Sequence, residues 1–356
     1  MDRNQIIGLV LMMGFITIYF AFFAPEPVEP VAQPATTETT TQAPTESDGT
    51  SEAATPQPQM SDSARAQMNE SRYGAFSAAS VGIEKKIEVK NEDVRFVFNS
   101  KGAVIEEAEL LKYKDWKGDP LLLVTPTTSD QHFYVDHLGK NIDLNEFYYQ
   151  TSQKVKADTT ILTFQLNVNE YAYVRYNYSI PPAGYQVKLK IETKGMNDLV
   201  GEKITYAWNH QYNRLEMDMT DARGRSTVRY NLIGDEVDYL SNRSTELEEE
   251  TLETPVKWIA FKQKFFTTAV IADDQFKSAF VSTRVDENDT TIEKVGDFQA
   301  IVPYEKFVAG NLGMTYYFGP NDFDIMRKVT PEFEQNVNMG WSILTFINKH
   351  FIRHIF

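Results

Sequence analysis

The run from Ile6 to Phe23 constrains this chain more than any other stretch. Thr17 is its one polar side chain without an aromatic body, and no charge falls inside it. About 18 residues of helix at about 1.5 Å rise span roughly 27 Å, close to the ~30 Å hydrocarbon core of a bilayer. Backbone groups in lipid must find partners within the segment, so a lone span of this kind is helical. The expectation is an N-terminal transmembrane helix within residues 1–24. A cleaved secretory signal fits less well. The run exceeds the about 7–15 residues of a signal core, Arg3 is the only basic side chain ahead of it, and Phe22 or Phe23 stands where cleavage needs a small residue. After Arg3 no Lys or Arg occurs until Arg65, while Glu26 and Glu29 follow the span directly. Basic residues stay on the cytoplasmic side, which puts the N-terminus in the cytoplasm and the remainder outside.

Whatever lies outside must fold without disulfides, because the 356 residues include no cysteine. That also removes lipoprotein processing, thiolate metal sites and cysteine nucleophiles. Hydrophobic residues make up 42% of the chain, enough for the core of one large or two ordinary domains. A net charge of -15 argues against nucleic acid, whose phosphates need a clustered basic face.

From Ala24 to about Ser80 the sequence is Pro, Thr, Glu, Gln, Ala and Ser with almost no bulky apolar residue. Such a segment cannot bury enough surface to offset the entropy of ordering it. Residues 25–82 are therefore expected to be a disordered linker, with a partner-binding segment around Met60–Tyr73 as the functional alternative. Beyond Ile83 the apolar period becomes two. Val94, Phe96 and Phe98 alternate with Arg95, Val97 and Asn99; Leu162, Phe164, Leu166 and Val168 alternate with polar neighbours. Val174, Tyr176, Tyr178 and Ile180 lead through Pro181-Pro182-Ala183-Gly184 into Tyr185, Val187, Leu189 and Ile191, a hairpin with one wet face. Further strands are expected at Phe265–Ala272, Lys277–Ser282, Phe298–Val302 and Met314–Phe318. Helical signals are few in between, so residues 83–330 read as one large, mainly β domain, a two-layer antiparallel sandwich. The acidic run Glu246–Glu253 reads as a solvated loop or an edge that blocks further pairing.

Residues 331–356 differ. Pro331 can open a helix, and Leu344, Ile347, Phe351 and Ile355 form one stripe opposite Lys349, His350, Arg353 and His354. A basic amphipathic helix of this kind suits the plane of a membrane interface, and equally a helix docked on the sandwich. The apolar pattern runs up to Phe356 with no stop signal, so a longer membrane protein is expected to continue past it.

The search for chemistry assigns no catalytic, cofactor-binding or metal-ligating residue. No nucleophile elbow, phosphate loop or His-Glu-x-x-His occurs. His132 and His137, five apart, point to opposite faces of a strand. His350 and His354 have metal-site spacing but are crowded by Lys349 and Arg353. Asp286-Glu287-Asn288-Asp289 lacks the glycine of a calcium loop, with Thr291 in its place, and reads as a hairpin turn. Most aromatics read as core and cross-strand pairs, and Trp208 and Tyr212 read equally as core or as the lining of a groove for an extended or apolar guest.

Several motifs then converge. Met1-Asp2-Arg3-Asn4 running into an apolar span resembles the start of YidC, the bacterial membrane-protein insertase family. Trp258-Ile259-Ala260-Phe261-Lys262-Gln263-Lys264-Phe265-Phe266 is similar to that family's W-[IV]-A-x-x-Q-x-[YF]-F stretch. Tyr317-Phe318-Gly319-Pro320-Asn321-Asp322 resembles its Gly-Pro-Lys/Asn-Asp segment, and Gly340-Trp341 with Phe346-Ile347-Asn348-Lys349 resembles the interfacial helix before the second span. The resemblance implies a periplasmic β-supersandwich like galactose mutarotase, anchored in the bacterial inner membrane and followed by a five-helix core that performs insertion. The groove arginine of that core has no counterpart here. It also implies three partners: the lipid bilayer, nascent membrane proteins, and the Sec translocon including SecDF. Such a part aids insertion by anchoring and recruiting, without covalent chemistry. The second function class is a membrane-tethered carbohydrate-binding or aldose-epimerase-like sandwich. That chemistry needs a histidine and a carboxylate in one cleft, and His132, His137 and His210 are the only domain histidines.

Overall fold

The alternating stretches pair as antiparallel strands wherever one face can be buried. The computed structural model describes residues 62–337. The runs Ile6–Phe23 and Trp341–Phe356, and most of the linker, lie outside the described residues. No described helix is long and apolar enough to cross a membrane. Strands β1 (Lys86–Lys90), β2 (Val94–Asn99), β3 (Val104–Lys114) and β4 (Pro120–Val124) form a four-stranded meander. Then come β5 (Ser129–His137), β6 (Lys140–Asp143), β7 (Gln150–Lys156), β8 (Thr159–Asn167), β9 (Tyr173–Ile180) and β10 (Gln186–Lys194). After β11 (Ile204–Asn213) the chain adds β12 (Thr227–Leu232), β13 (Val237–Tyr239), β14 (Glu248–Leu252) and β15 (Val256–Lys262). Last are β16 (Phe266–Phe276), β17 (Ser278–Arg284), β18 (Ile292–Ile301) and β19 (Leu312–Pro320). Four α-helices are described: α1 (Asp62–Tyr73), α2 (Met219–Arg223), α3 (Tyr304–Val308) and α4 (Phe323–Met326), and only α1 exceeds five residues.

A nine-stranded sheet in the order β13-β12-β15-β16-β19-β10-β9-β8-β7 makes one layer. Two sheets cover its inner face, β14-β17-β18-β11-β5-β6 and the four-stranded meander. Trp208 of β11 meets Phe261 of β15 edge-on at 5.4 Å and Tyr316 of β19 at 5.8 Å. Phe98 of β2 meets Tyr178 of β9 at 4.9 Å, and Phe96 meets Phe318 at 5.7 Å. Side-chain amides join the two covering sheets, Gln131 donating to the Ile105 carbonyl and Asn213 to that of Leu122. This is the expected β-supersandwich. The predicted hairpin is β9–β10, with Ile191 opposite Tyr176 and Gly184 at φ 96° in the turn. The acid-rich stretch forms β14, an edge strand, where charge deters pairing with another chain.

Two expectations change, and one open reading is decided. Residues 62–80 do not continue the disordered linker: α1 leads into a 3₁₀ turn, Gly74–Ser80, whose Phe76 is completely buried. One ring of this size contributes about 1.5–3 kcal/mol on burial, which an average over the polar tract conceals. Pro331 does not open an α-helix. Glu332 sits at φ 63° and Phe333–Asn336 form a 3₁₀ turn, which lets Phe333 cover Trp258 and Tyr317 at 5.2 Å each on the outer face of the large sheet. The sandwich thus extends past residue 330. Alternation along β11 turns the Trp208 and Tyr212 rings into the core, with Trp208 bordering the outer cleft beside Asn209.

Candidate functional site

Strand alternation places His132 outward and His137 inward on β5, as their spacing requires. His132 lies between two carboxylates, with Nδ1 2.6 Å from Asp143 Oδ2 and Nε2 3.1 Å from Asp130 Oδ2. Its ring stacks on Tyr134 at 5.3 Å, beside Asn209, Asp297 and Gln299 in a cleft of about 610 Å³. A histidine and carboxylates do converge here, against expectation, because β6 brings Asp143 beside β5. The Asp143 hydrogen bond pushes the imidazole pKa up to about 9, outweighing burial. At neutral pH the ring is a cation donating from both nitrogens. It has no lone pair with which to take a substrate proton, and both N–H groups are already given to Asp143 and Asp130, so epimerase chemistry is not favoured. His210 is the opposite case: burial drives its pKa down to about 3 and keeps it neutral inside the core. Among the described residues no group of three or more His, Asp or Glu could hold a metal.

The first docking place receives the segment before β1. Phe76 lies against His137 at 5.4 Å and stacks on Phe147 at 5.7 Å, while Tyr73 meets Phe147 edge-on at 5.1 Å. His137 Nδ1 donates to the Leu199 carbonyl at 2.7 Å, which turns Nε2 toward the Ala75 N–H at 3.4 Å. Gly74, at φ 55°, passes so close that a Cβ would sit 2.7 Å from Nε2. Only glycine fits there. Arg72 donates twice to Glu146, at 2.9 and 3.0 Å, and the Tyr73 hydroxyl donates to the same carboxylate. Burial first, then Glu146, pushes the Tyr73 pKa up to about 12.

The second place joins two of the sequence motifs. The β15–β16 connection is held by Asn321, whose N–H donates to the Phe265 carbonyl at 2.7 Å. Its side-chain amide donates to the carbonyls of Gln263 and Lys264, and Thr267 Oγ1 donates to its oxygen at 2.6 Å. Gln263 reaches on to the Asn213 carbonyl at 2.8 Å. Asp322 then caps α4, accepting from the Ile325 N–H, and starts the segment that lays Phe333 on Trp258. Both motifs serve as a clasp where the chain leaves the sheet. The Asp286–Asp289 stretch is the β17–β18 turn, with Asp289 Oδ1 accepting from the Thr291 N–H. His350 and His354 lie outside the described residues.

These motifs agree with a family model. The description of the YidC periplasmic domain matches residues 86–353, about three quarters of the chain. The chain belongs to the YidC family. Proteins named "Membrane protein insertase YidC" are similar along its whole length: that of Cytophaga hutchinsonii is 30% identical over 100% of this chain and 58% of its own. The Amoebophilus asiaticus protein is 28% identical over 100% and 59%. This chain thus spans about three fifths of those relatives. Solved structures to which it is similar include YidC from Thermotoga maritima, 14% identical, covering 72% of this chain and 54% of that one, TM-score 0.34. A galactose mutarotase-like protein from Lactobacillus casei is 10% identical, covering 66% and 100%, TM-score 0.41.

The sequence reading missed the Phe76 docking place. A lone bulky ring among Gly, Ala and Ser, a few residues ahead of the first alternating strand, was the available signal.

Proposed function

We propose that this chain is the anchored periplasmic part of a YidC-type insertase, in the inner membrane with its N-terminus in the cytoplasm. It aids the insertion and folding of integral membrane proteins, with or without the Sec translocon. Residues 1–24 anchor it, the linker runs to about residue 61, the sandwich covers 62–337, and 338–356 lead along the membrane surface toward the insertion core. The family match over 86–353 carries this reading. The structure supports a mechanical role, since the segments entering and leaving the sandwich each dock on it through a buried phenylalanine.

Insertion needs no bond making. A hydrophilic cavity in the membrane lowers the cost of burying polar groups, several kcal/mol for each one left unsatisfied. The sandwich would hold that cavity beside its partners, the Sec translocon with SecDF and nascent membrane proteins. The test is to supply the complete gene to bacteria depleted of their own insertase and follow insertion of a single-span protein by protease accessibility. Restored insertion is expected. Failure despite normal membrane levels of the product would sink the proposal.

A further inference from the structure

The two outermost strands of the large sheet are unlike. β13 is three residues long, whereas β7 runs for seven with no Pro, acid or bulge to interrupt it. Its hairpin to β8 turns through Ala157 and Asp158, at φ 47° and 63°, with Lys156 opposite Thr159. A two-residue turn of this kind is closed by a hydrogen-bonded pair, and such pairs alternate along the ladder. Gln150, Ser152, Lys154 and Lys156 therefore bond to β8, while Thr151, Gln153 and Val155 direct their backbone N–H and C=O groups away from it. Among the described residues no strand pairs with that edge and no backbone hydrogen bond reaches it. Every residue of the strand except Thr151 is exposed, Val155 by 67%.

A free strand edge invites pairing, and the other edges of the described sheets deter it. Glu250 is the middle residue of β14 and Glu88 that of β1, so two copies meeting there about a two-fold axis would oppose glutamates. β4 gives its central Leu122 carbonyl to Asn213, and β6 and β13 are short. The middle residue of β7 is Gln153. A two-fold axis there sets Gln153 against Gln153, Thr151 against Val155, Ser152 against Lys154 and Gln150 against Lys156. Every outward N–H then faces a carbonyl, no like charges stand opposite each other, and Val155 meets the β-branched Thr151. Gln150 and Thr151 also border a cleft of about 450 Å³ whose wall includes the exposed Val81 and Ile83. In this register the turn after Lys156 of the second copy comes beside Gln150, next to that cleft.

We propose that β7 pairs antiparallel with β7 of a second copy of this chain, joining the two nine-stranded sheets into one. The membrane setting is taken from the proposed function. A strand pair of this length buries less than the about 1,200 Å² of a lasting interface, so the contact is weak and forms where anchorage concentrates the chains.

The test uses the full chain in neutral maltoside micelles at about 100 μM, where a weak contact is populated. The chain has no native cysteine, so single cysteines report cleanly. Gln153→Cys should form an intermolecular disulfide, because hydrogen-bonded partners stand about 5.5 Å apart at Cα. Lys154→Cys should form little, since its own counterpart lies on the diagonal, about 7–8 Å away. Charge gives a second reading. Ser152→Glu meets Lys154 at two symmetric places and should tighten the dimer seen by sedimentation about fivefold, whereas Ser152→Lys should weaken it as much. No disulfide at Gln153→Cys, equal cross-linking at both positions, or a shift of the same sign in both charge variants overturns the pairing. Assemblies that grow beyond the dimer, and disperse when Glu248, Glu249 and Glu250 are changed to Gln, would show β7 docking head-to-tail on β14 and overturn the two-fold contact. None of these readings requires insertase activity, so the two proposals fail separately.

Discussion

Phe76 and Phe333 are both fully buried rings carried by segments outside the strands, yet they are held in different ways. Phe333 lies on the outer face of the central strands, against Trp258 and Tyr317, in a region covered on both sides. Phe76 sits at the margin of the smaller sheets, and α1 ahead of it buries no residue. Apart from the Tyr73 ring edge-on to Phe147, its other attachments are mainly polar: Arg72 and Tyr73 on Glu146, Lys140 on the Ser71 carbonyl, Ala75 on His137. One segment completes the core, while the other is fastened to a finished body. The exit should therefore unfold only with the whole domain, whereas the entry can detach alone.

Truncating the exit ring should have the largest effect. Phe333→Ala opens a cavity between two aromatic rings, and such changes cost about 3–5 kcal/mol. Urea denaturation should show the midpoint falling with an unchanged slope. If the cost stays below about 1 kcal/mol, this segment is not part of the core and the comparison fails. Asn321→Ala should come next, at about 1–3 kcal/mol, because carbonyls of the β15–β16 connection lose their buried partner. Cleavage by a protease should then appear between β15 and β16.

Phe76→Ala should change the global midpoint by less than about 1 kcal/mol, although a ring of the same size is lost. Its effect should appear locally, as faster hydrogen exchange and proteolysis across residues 62–80. A fall in midpoint matching that of Phe333→Ala would make the two ends equivalent and remove the distinction.

The two ends also differ in how far the sequence disclosed them. Alternation in β9 and β10 displays the sandwich directly, because each residue's face follows from its neighbours. The exit clasp was visible only as motifs: Gln263 and Asn321 lie 58 residues apart, and no periodicity connects them. Phe76 disappeared into the average of a polar tract. Trp208 and Tyr212 could have been placed correctly, since with Tyr206 and His210 they repeat every second residue. The charged state of His132 could not be read at all. It depends on Asp143, eleven residues on, folding back beside it.

The charge on that histidine should make the entry sensitive to pH and leave the exit indifferent to it. Asp143 binds His132 through one oxygen and caps the turn Leu144–Glu146 through the other, accepting from the Asn145 N–H at 3.0 Å. Glu146 at the end of that turn holds Arg72 and Tyr73. The His132 pKa is raised on folding from 6.5 to about 9, so its stabilising contribution is complete below about 6.5 and disappears as pH rises through about 9. Other groups titrate in the same range, Lys262 and Lys294 among them, so the informative quantity is the difference between the wild type and His132→Gln. Between pH 7 and 9.5 the wild type should lose its advantage in hydrogen-exchange protection over residues 62–80, after correction for the intrinsic rate. Protection over 323–337 should run in parallel in the two proteins. An equal pH dependence at both ends, or none at either, would separate His132 from the entry and leave Phe76 alone to explain it.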